Sequence, residues 1–98
     1  MQGAGVIIVE DESIIAMDIE VLLVQRGYRV LATVSDADEA VLKTGELFPD
    51  IVLMDIVLEG DKSGIEAARR ITTLYDVPVL FVTSHADEHI VRMARETG

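Results

Sequence analysis

The sequence predicts an α/β domain with a doubly wound parallel sheet. Three observations predict it. Short β-rich runs alternate with longer helical patterns in the order βαβαβαβα. The runs at 6–9, 51–54 and 79–82 are apolar without alternation, which means burial on both faces and helices on each side of the sheet. The chain has 98 residues, half of them hydrophobic, enough for one domain around one core. Right-handed crossovers then wind the helices onto both faces.

Each element has its own signal. The first strand covers residues 6–9. The first helix runs over 13–26 and ends at Gly27, a natural C-terminal cap, with an inner stripe of Ile15, Ile19, Leu22 and Leu23. A second strand covers 29–33. Ser35 and Asp38 make a near capping box for a second helix whose apolar face is Ala37, Ala40, Val41 and Leu47. Pro49 punctuates, and 51–54 form the third strand. A loop over 55–62 follows; Gly60 and Gly64 are the only glycines in the stretch after strand 3, so freedom there is limited. Ser63 and Glu66 give the full capping pattern of a third helix, with Ile65, Ala68 and Ile71 facing inward. Pro78 opens the fourth strand at 79–82. Ser84 and Asp87 cap a last helix carrying Ile90, Val91 and Ala94.

Composition narrows the function. Eighteen acidic and eight basic residues give a formal net charge of −10. That disfavours nucleic-acid binding and attachment to anionic membranes, and suits a divalent cation or a basic protein partner. Aromatics are only 4% of the chain, so the core is aliphatic. There is no cysteine, hence no disulfide framework and no thiolate chemistry. The apolar run at 5–9 is too short to span a bilayer, and with no basic start and no cleavage site it is not a signal peptide. A cytoplasmic location is expected.

In open α/β sheets, sites form at the carboxyl ends of the strands, where strand order reverses. Strand 1 ends in Glu10, Asp11 and Glu12; strand 3 in Asp55; strand 4 in Thr83 and Ser84. Strand 2 ends in Val34 and Ser35, which offer little. If strands 1 and 3 are neighbours, Glu10, Asp11 and Asp55 converge. Two carboxylates about 4 Å apart repel by roughly 4 kcal/mol at an effective dielectric near 20. Such a cluster calls for a proton or a cation, and hard oxygen ligands in an accessible notch suit Mg²⁺. Glu12 reads as a first-turn acid facing the helix dipole. An exposed Asp55 beside a cation and a hydroxyl suggests phosphoryl chemistry, with Asp55 as nucleophile forming an acyl phosphate and Thr83 donating a hydrogen bond. His85 and His89 stand four apart, but lack a third ligand and read as a solvated face. Met54 and Met93 read as core fillers, and Glu66 with Arg69 and Arg70 as surface pairing.

Taken together, these residues resemble the receiver domain of bacterial and archaeal response regulators. Val-Glu-Asp-Glu at 9–12 is similar to the family's acidic pair, Leu-Met-Asp-Ile at 53–56 to its phosphorylation segment, and Val-Thr-Ser at 82–84 to its switch-threonine segment. Gly64 lies where the family usually has a glycine before the third helix. The resemblance implies a flavodoxin-like (CheY-like) sheet of order 2-1-3-4-5, an order for which a receiver is itself a standard example. It implies Asp55 as acceptor of a phosphoryl group from a kinase phosphohistidine. It implies Asp11, Asp55 and the Val57 carbonyl as Mg²⁺ ligands, with Glu10 acting through a metal-bound water. It implies Thr83 as phosphoryl contact and switch, with Ser84 beside it. The implied partner is a sensor histidine kinase or phosphotransfer protein, and the implied role is that of a phosphoacceptor rather than an enzyme.

Two departures qualify the resemblance. The loop from Asp55 to Gly64 is about one residue longer than the commonest form and resembles receivers joined to kinases or cyclases. The chain also stops at Gly98, before the family's fifth strand and helix and the lysine that follows that strand. Residues 1–98 are therefore expected to be a receiver lacking its C-terminal part, with strand 4 an open edge that a second copy could cover as a homodimer. A pseudo-receiver, acting by protein interaction without phosphorylation, is the alternative. A haloacid-dehalogenase-type phosphohydrolase would need an Asp where Val57 stands. A flavin or nucleotide module would need a phosphate cradle where Glu10, Asp11 and Glu12 repel phosphate.

Overall fold

The computed structural model describes residues 3–55 and 64–82. They form β1 (Gly5–Val9), α1 (Ser13–Gln25), β2 (Arg29–Val34), α2 (Ala37–Leu47), β3 (Ile51–Asp55), α3 (Gly64–Tyr75) and β4 (Val79–Val82). The four strands make one parallel sheet in the order β2-β1-β3-β4. This is the flavodoxin-like order expected from the sequence, with the order reversing between β1 and β3. The expected last helix, with His85, His89 and Met93, lies outside the described residues.

Side-chain parity assigns the two faces. Ile7 and Val9 of β1 and Val52 and Met54 of β3 cluster with Ala37, Ala40 and Val41 of α2 and Ala67, Ala68 and Ile71 of α3. Val6, Ile8 and Leu53 cluster instead with Ala16 of α1. Successive strand residues point to opposite faces, so β1 and β3 each feed both clusters and carry apolar residues through Val6–Val9 and Ile51–Met54. The pairings Val9↔Met54 and Val9↔Val34 bring the carboxyl ends of the three strands level. At the opposite end, Asp50 grips β1 twice. Its N–H donates to the Gly5 carbonyl at 2.8 Å, and its Oδ2 accepts from the Gly5 N–H at 2.6 Å.

Several local expectations are corrected. The N-cap of α2 is Asp36, not Ser35: its carboxylate accepts from the Glu39 N–H at 2.8 Å, so the capping pattern sits one residue later than Ser35 and Asp38. Leu22 and Leu47 are exposed rather than inward. On α1 the core is met by Ala16, with Ile19 and Leu23 packed at its margin, while Ile14, Met17, Val21, Leu22 and Val24 face outward. On α2 the buried face adds Thr44, whose hydroxyl donates to the Ala40 carbonyl at 2.7 Å and so is satisfied without leaving the core. Gly64 belongs to the first turn of α3 rather than to a loop. Gly27, with φ 90°, follows the Arg26 cap of α1 in the left-handed conformation that glycine adopts freely. Met54 is fully buried, as expected. Arg70 of α3 reaches across to Asp38 of α2 at 3.4 Å, an exposed pair that adds little to stability.

Candidate functional site

Alternation along the strands also builds the site. Glu10 continues the Val6–Ile8 parity of β1, and Asp55 continues the Ile51–Leu53 parity of β3, so both fall on the α1 side of adjacent strands. Asp11 follows in the turn into α1. One carboxylate oxygen from each of Glu10, Asp11 and Asp55 lies within 4.8 Å of the others. The convergence expected from the sequence is therefore present. The expected exposure of Asp55 is not: Asp55 is 5% exposed and Glu10 3%, while Asp11 is half-buried. Asp55 ends an interior strand, flanked by β1 and β4 and approached by the first residue of α3, Gly64, which removes it from solvent. Val57 and Thr83, the other two expected site residues, lie outside the described residues.

Glu10 organises the entry to α1. Its N–H donates to the Val34 carbonyl at 2.9 Å, and its Oε1 accepts from the Glu12 N–H at 3.1 Å. Glu12 itself holds the N-cap position of α1 without making a side-chain cap bond, so it precedes the first turn in which the sequence places it. Burial pushes the Glu10 carboxyl from 4.5 up to about 7; the Glu12 N–H pulls it down, and the neighbouring Asp55 and Asp11 carboxylates add to the rise. Its Oε2 is buried with no hydrogen-bond partner. A buried carboxylate oxygen left without a donor is costly.

These features fit a hard divalent cation: three carboxylates converge, one oxygen lacks any donor, and a buried acid is held against its charge. The end of β2, expected to contribute little, borders the acidic residues of β1 and its following turn. Thr33, Val34 and Ser35 line a cavity of about 430 Å³ together with Glu10, Asp11 and Glu20.

The family follows from comparison with known proteins. Residues 6–98 match the family of the response regulator receiver domain. The chain is a response regulator receiver domain. This receiver is 35% identical over 94 residues to the transcriptional regulatory protein PdtaR of Mycobacterium tuberculosis, covering 95% of this chain and 45% of that protein. It thus spans less than half the length of that relative. Among solved structures it resembles a LuxR-family two-component response regulator from Aurantimonas, with a TM-score of 0.87 and 35% identity over 99% of this chain and 70% of the other. It also resembles the signal receiver domain of a modulated diguanylate cyclase from Desulfovibrio desulfuricans, with a TM-score of 0.85 and 35% identity over 98% and 76% of the two chains. Among the described residues of this receiver, no helix is long and apolar enough to cross a membrane.

Proposed function

We propose that this receiver accepts a phosphoryl group at Asp55 from the phosphohistidine of a sensor kinase or phosphotransfer protein. The observation that carries the reading is the convergence of Glu10, Asp11 and Asp55 at the carboxyl ends of β1 and β3, with Glu10 Oε2 buried and lacking a donor. Asp11, Asp55 and the Val57 carbonyl would hold Mg²⁺, with Glu10 acting through water. When bound, the cation neutralises charge on the transferring phosphoryl oxygens. An Asp55 oxygen attacks phosphorus, the O–P bond forms, the P–N bond to the donor imidazole breaks, and the imidazole nitrogen regains a proton. Thr83 would then hydrogen-bond the phosphoryl group and move with it, and the altered surface would control an output domain or partner. The site sits in the cytoplasm on this reading, where kinases hold their phosphohistidines.

The surface beside the site supports a helical donor. Ile14, Met17, Val21 and Val24 are exposed on α1 at spacings of three and four, which makes an apolar stripe of the kind that receives a helix. The stripe begins next to Asp11 and runs away from it.

The test is to incubate the full-length protein with Mg²⁺ and acetyl phosphate and measure intact mass. Wild type should gain one phosphoryl group, and Asp55→Ala and Asp11→Ala should gain none. An unmodified wild type, or an Asp55→Ala variant that is modified equally, would overturn the assignment.

A further inference from the structure

Gly64 stands at the first residue of α3, is buried, and is not in the left-handed conformation. Its backbone therefore asks nothing that alanine could not provide. Glycine is also the poorer choice at a helix start, since alanine there would lower the entropy of the unfolded chain and raise stability. The reason for glycine has to be space. A Cβ at Gly64 would overlap the backbone carbonyl oxygen of Asp55 and would press on Met54 Cγ and Sδ, each 3.2 Å away. Met54 is fully buried among α2 and α3 residues and has nowhere to retreat. The carbonyl belongs to the main chain of β3, whose neighbours are fixed on both sides by pairing with β1 and β4.

Gly45 of α2 offers the contrast. A Cβ there would lie 2.6 Å from the Tyr75 hydroxyl oxygen and 2.8 Å from Cζ. That obstacle is the far end of a side chain on α3, well away from the carboxyl ends of the strands. One glycine thus admits a side chain, while the other admits the backbone of the residue that carries the candidate nucleophile.

We infer that Gly64 is a positioning residue: by letting α3 rest directly on the Asp55 carbonyl, it holds the last residue of β3 in register with Glu10 and Asp11. This role rests on the proposed function only for the choice of Asp55 as the working carboxylate. A methyl group at 64 should therefore act at a distance. It would shift Asp55, and through Asp55 the carboxylates of β1 and its following turn, which the methyl itself does not touch. The loss resembles that of an outer-shell partner of a metal ligand, which ordinarily weakens metal affinity about tenfold or more.

The experiment compares Gly64→Ala with Gly45→Ala and wild type in the full-length protein. Three quantities are measured: thermal unfolding, the Mg²⁺ dissociation constant by calorimetry, and backbone amide shifts of Glu10 and Asp11 in metal-free buffer. Gly45→Ala should lower the unfolding temperature and leave Mg²⁺ affinity and those amides unchanged. Gly64→Ala should weaken Mg²⁺ by about tenfold and move the Glu10 and Asp11 amides. Equal Mg²⁺ affinity in Gly64→Ala and wild type, or amide changes confined to residues around 64 and 55, would overturn the inference. If wild type itself takes no Mg²⁺, the metal reading fails, and the amide comparison alone decides the role of Gly64. Should Gly64→Ala unfold, the measurements are repeated in sucrose, which favours the compact state; failure to fold there too would make the role structural and overturn the inference.

Discussion

On one face of the sheet, Ile7, Val9, Val52 and Met54 are covered by two helices that meet them with small residues, Ala37 and Ala40 from α2 and Ala67 and Ala68 from α3. On the other, Val6, Ile8 and Leu53 are covered, among the described residues, by α1, which buries only Ala16 fully. The first face lets backbones approach closely, to the point that α3 touches the main chain of Asp55. The second leaves α1 with apolar side chains pointing both inward and outward. The difference separates two tasks. Close packing on the α2 and α3 side fixes where Asp55 stands, and the α1 side presents the carboxylates and an adjoining stripe of exposed apolar side chains.

The contrast between the faces breaks most plainly at single core positions. Ile71→Ala removes a fully buried side chain from the close-packed face and should cost about 3 kcal/mol, whereas Leu23→Ala on the partly covered α1 side should cost about 1 kcal/mol. Urea unfolding of both variants measures this, and equal losses would mean that the two faces are packed alike.

A second difference is electrostatic and belongs to the α1 side alone. The Glu10 carboxyl is raised from 4.5 to about 7 in the folded protein. A raised acid stabilises the fold fully below its unfolded value, and that contribution is lost as pH climbs through the folded value. Without metal, the contribution of Glu10 should therefore fall between about pH 5 and pH 7.5, by on the order of a few kcal/mol in all. Chemical unfolding in EDTA across that range should show the decline in wild type and a flatter profile in Glu10→Gln. Parallel profiles would remove Glu10 as its source.

The smallest expected change in stability sharpens the role of the outer stripe. Met17→Ser and Val21→Ser alter exposed side chains and should leave stability within about 0.5 kcal/mol of wild type. Phosphoryl transfer from a histidine donor protein should slow, while modification by acetyl phosphate proceeds unchanged. Equal slowing with both donors would place the defect in the site rather than on the stripe.

The strands were legible because burial on both faces writes itself as unbroken apolar runs, as at Val52, Leu53 and Met54; their order came from the family resemblance and not from the runs. The meeting of Glu10, Asp11 and Asp55 was legible because strand ends and the reversal of order locate a site before any distance is known. The inner face of α1 was not. With Ile14, Ile15, Ala16, Met17, Ile19, Val21, Leu22, Leu23 and Val24 spread around the helix, periodicity points in no single direction, and Leu22 was as good a candidate as Ala16. The cap of α2 was ambiguous for a different reason. Ser35, Asp36 and Asp38 all cap well, and the choice falls to the burial of Ala37, Ala40, Val41 and Thr44, which sets the phase of the helix. At Gly64 the sequence shows a glycine where the family usually has one and limited loop freedom, but not the reason for it, because the contact that requires it is made with a residue nine positions earlier and exists only in three dimensions.

The double grip of Asp50 on Gly5 acts as the zero mark of a ruler. From that mark the chain counts five residues to Glu10 on one strand and five to Asp55 on the other. A slip of β1 by one residue would turn every one of its side chains to the other face, sending Glu10 toward α2 and α3 and Val9 toward α1. The strand register from which the acidic residues are counted is thus anchored at the end of the sheet farthest from them, by a residue that takes no part in their chemistry, while the contact at Gly64 acts locally on the last residue of β3.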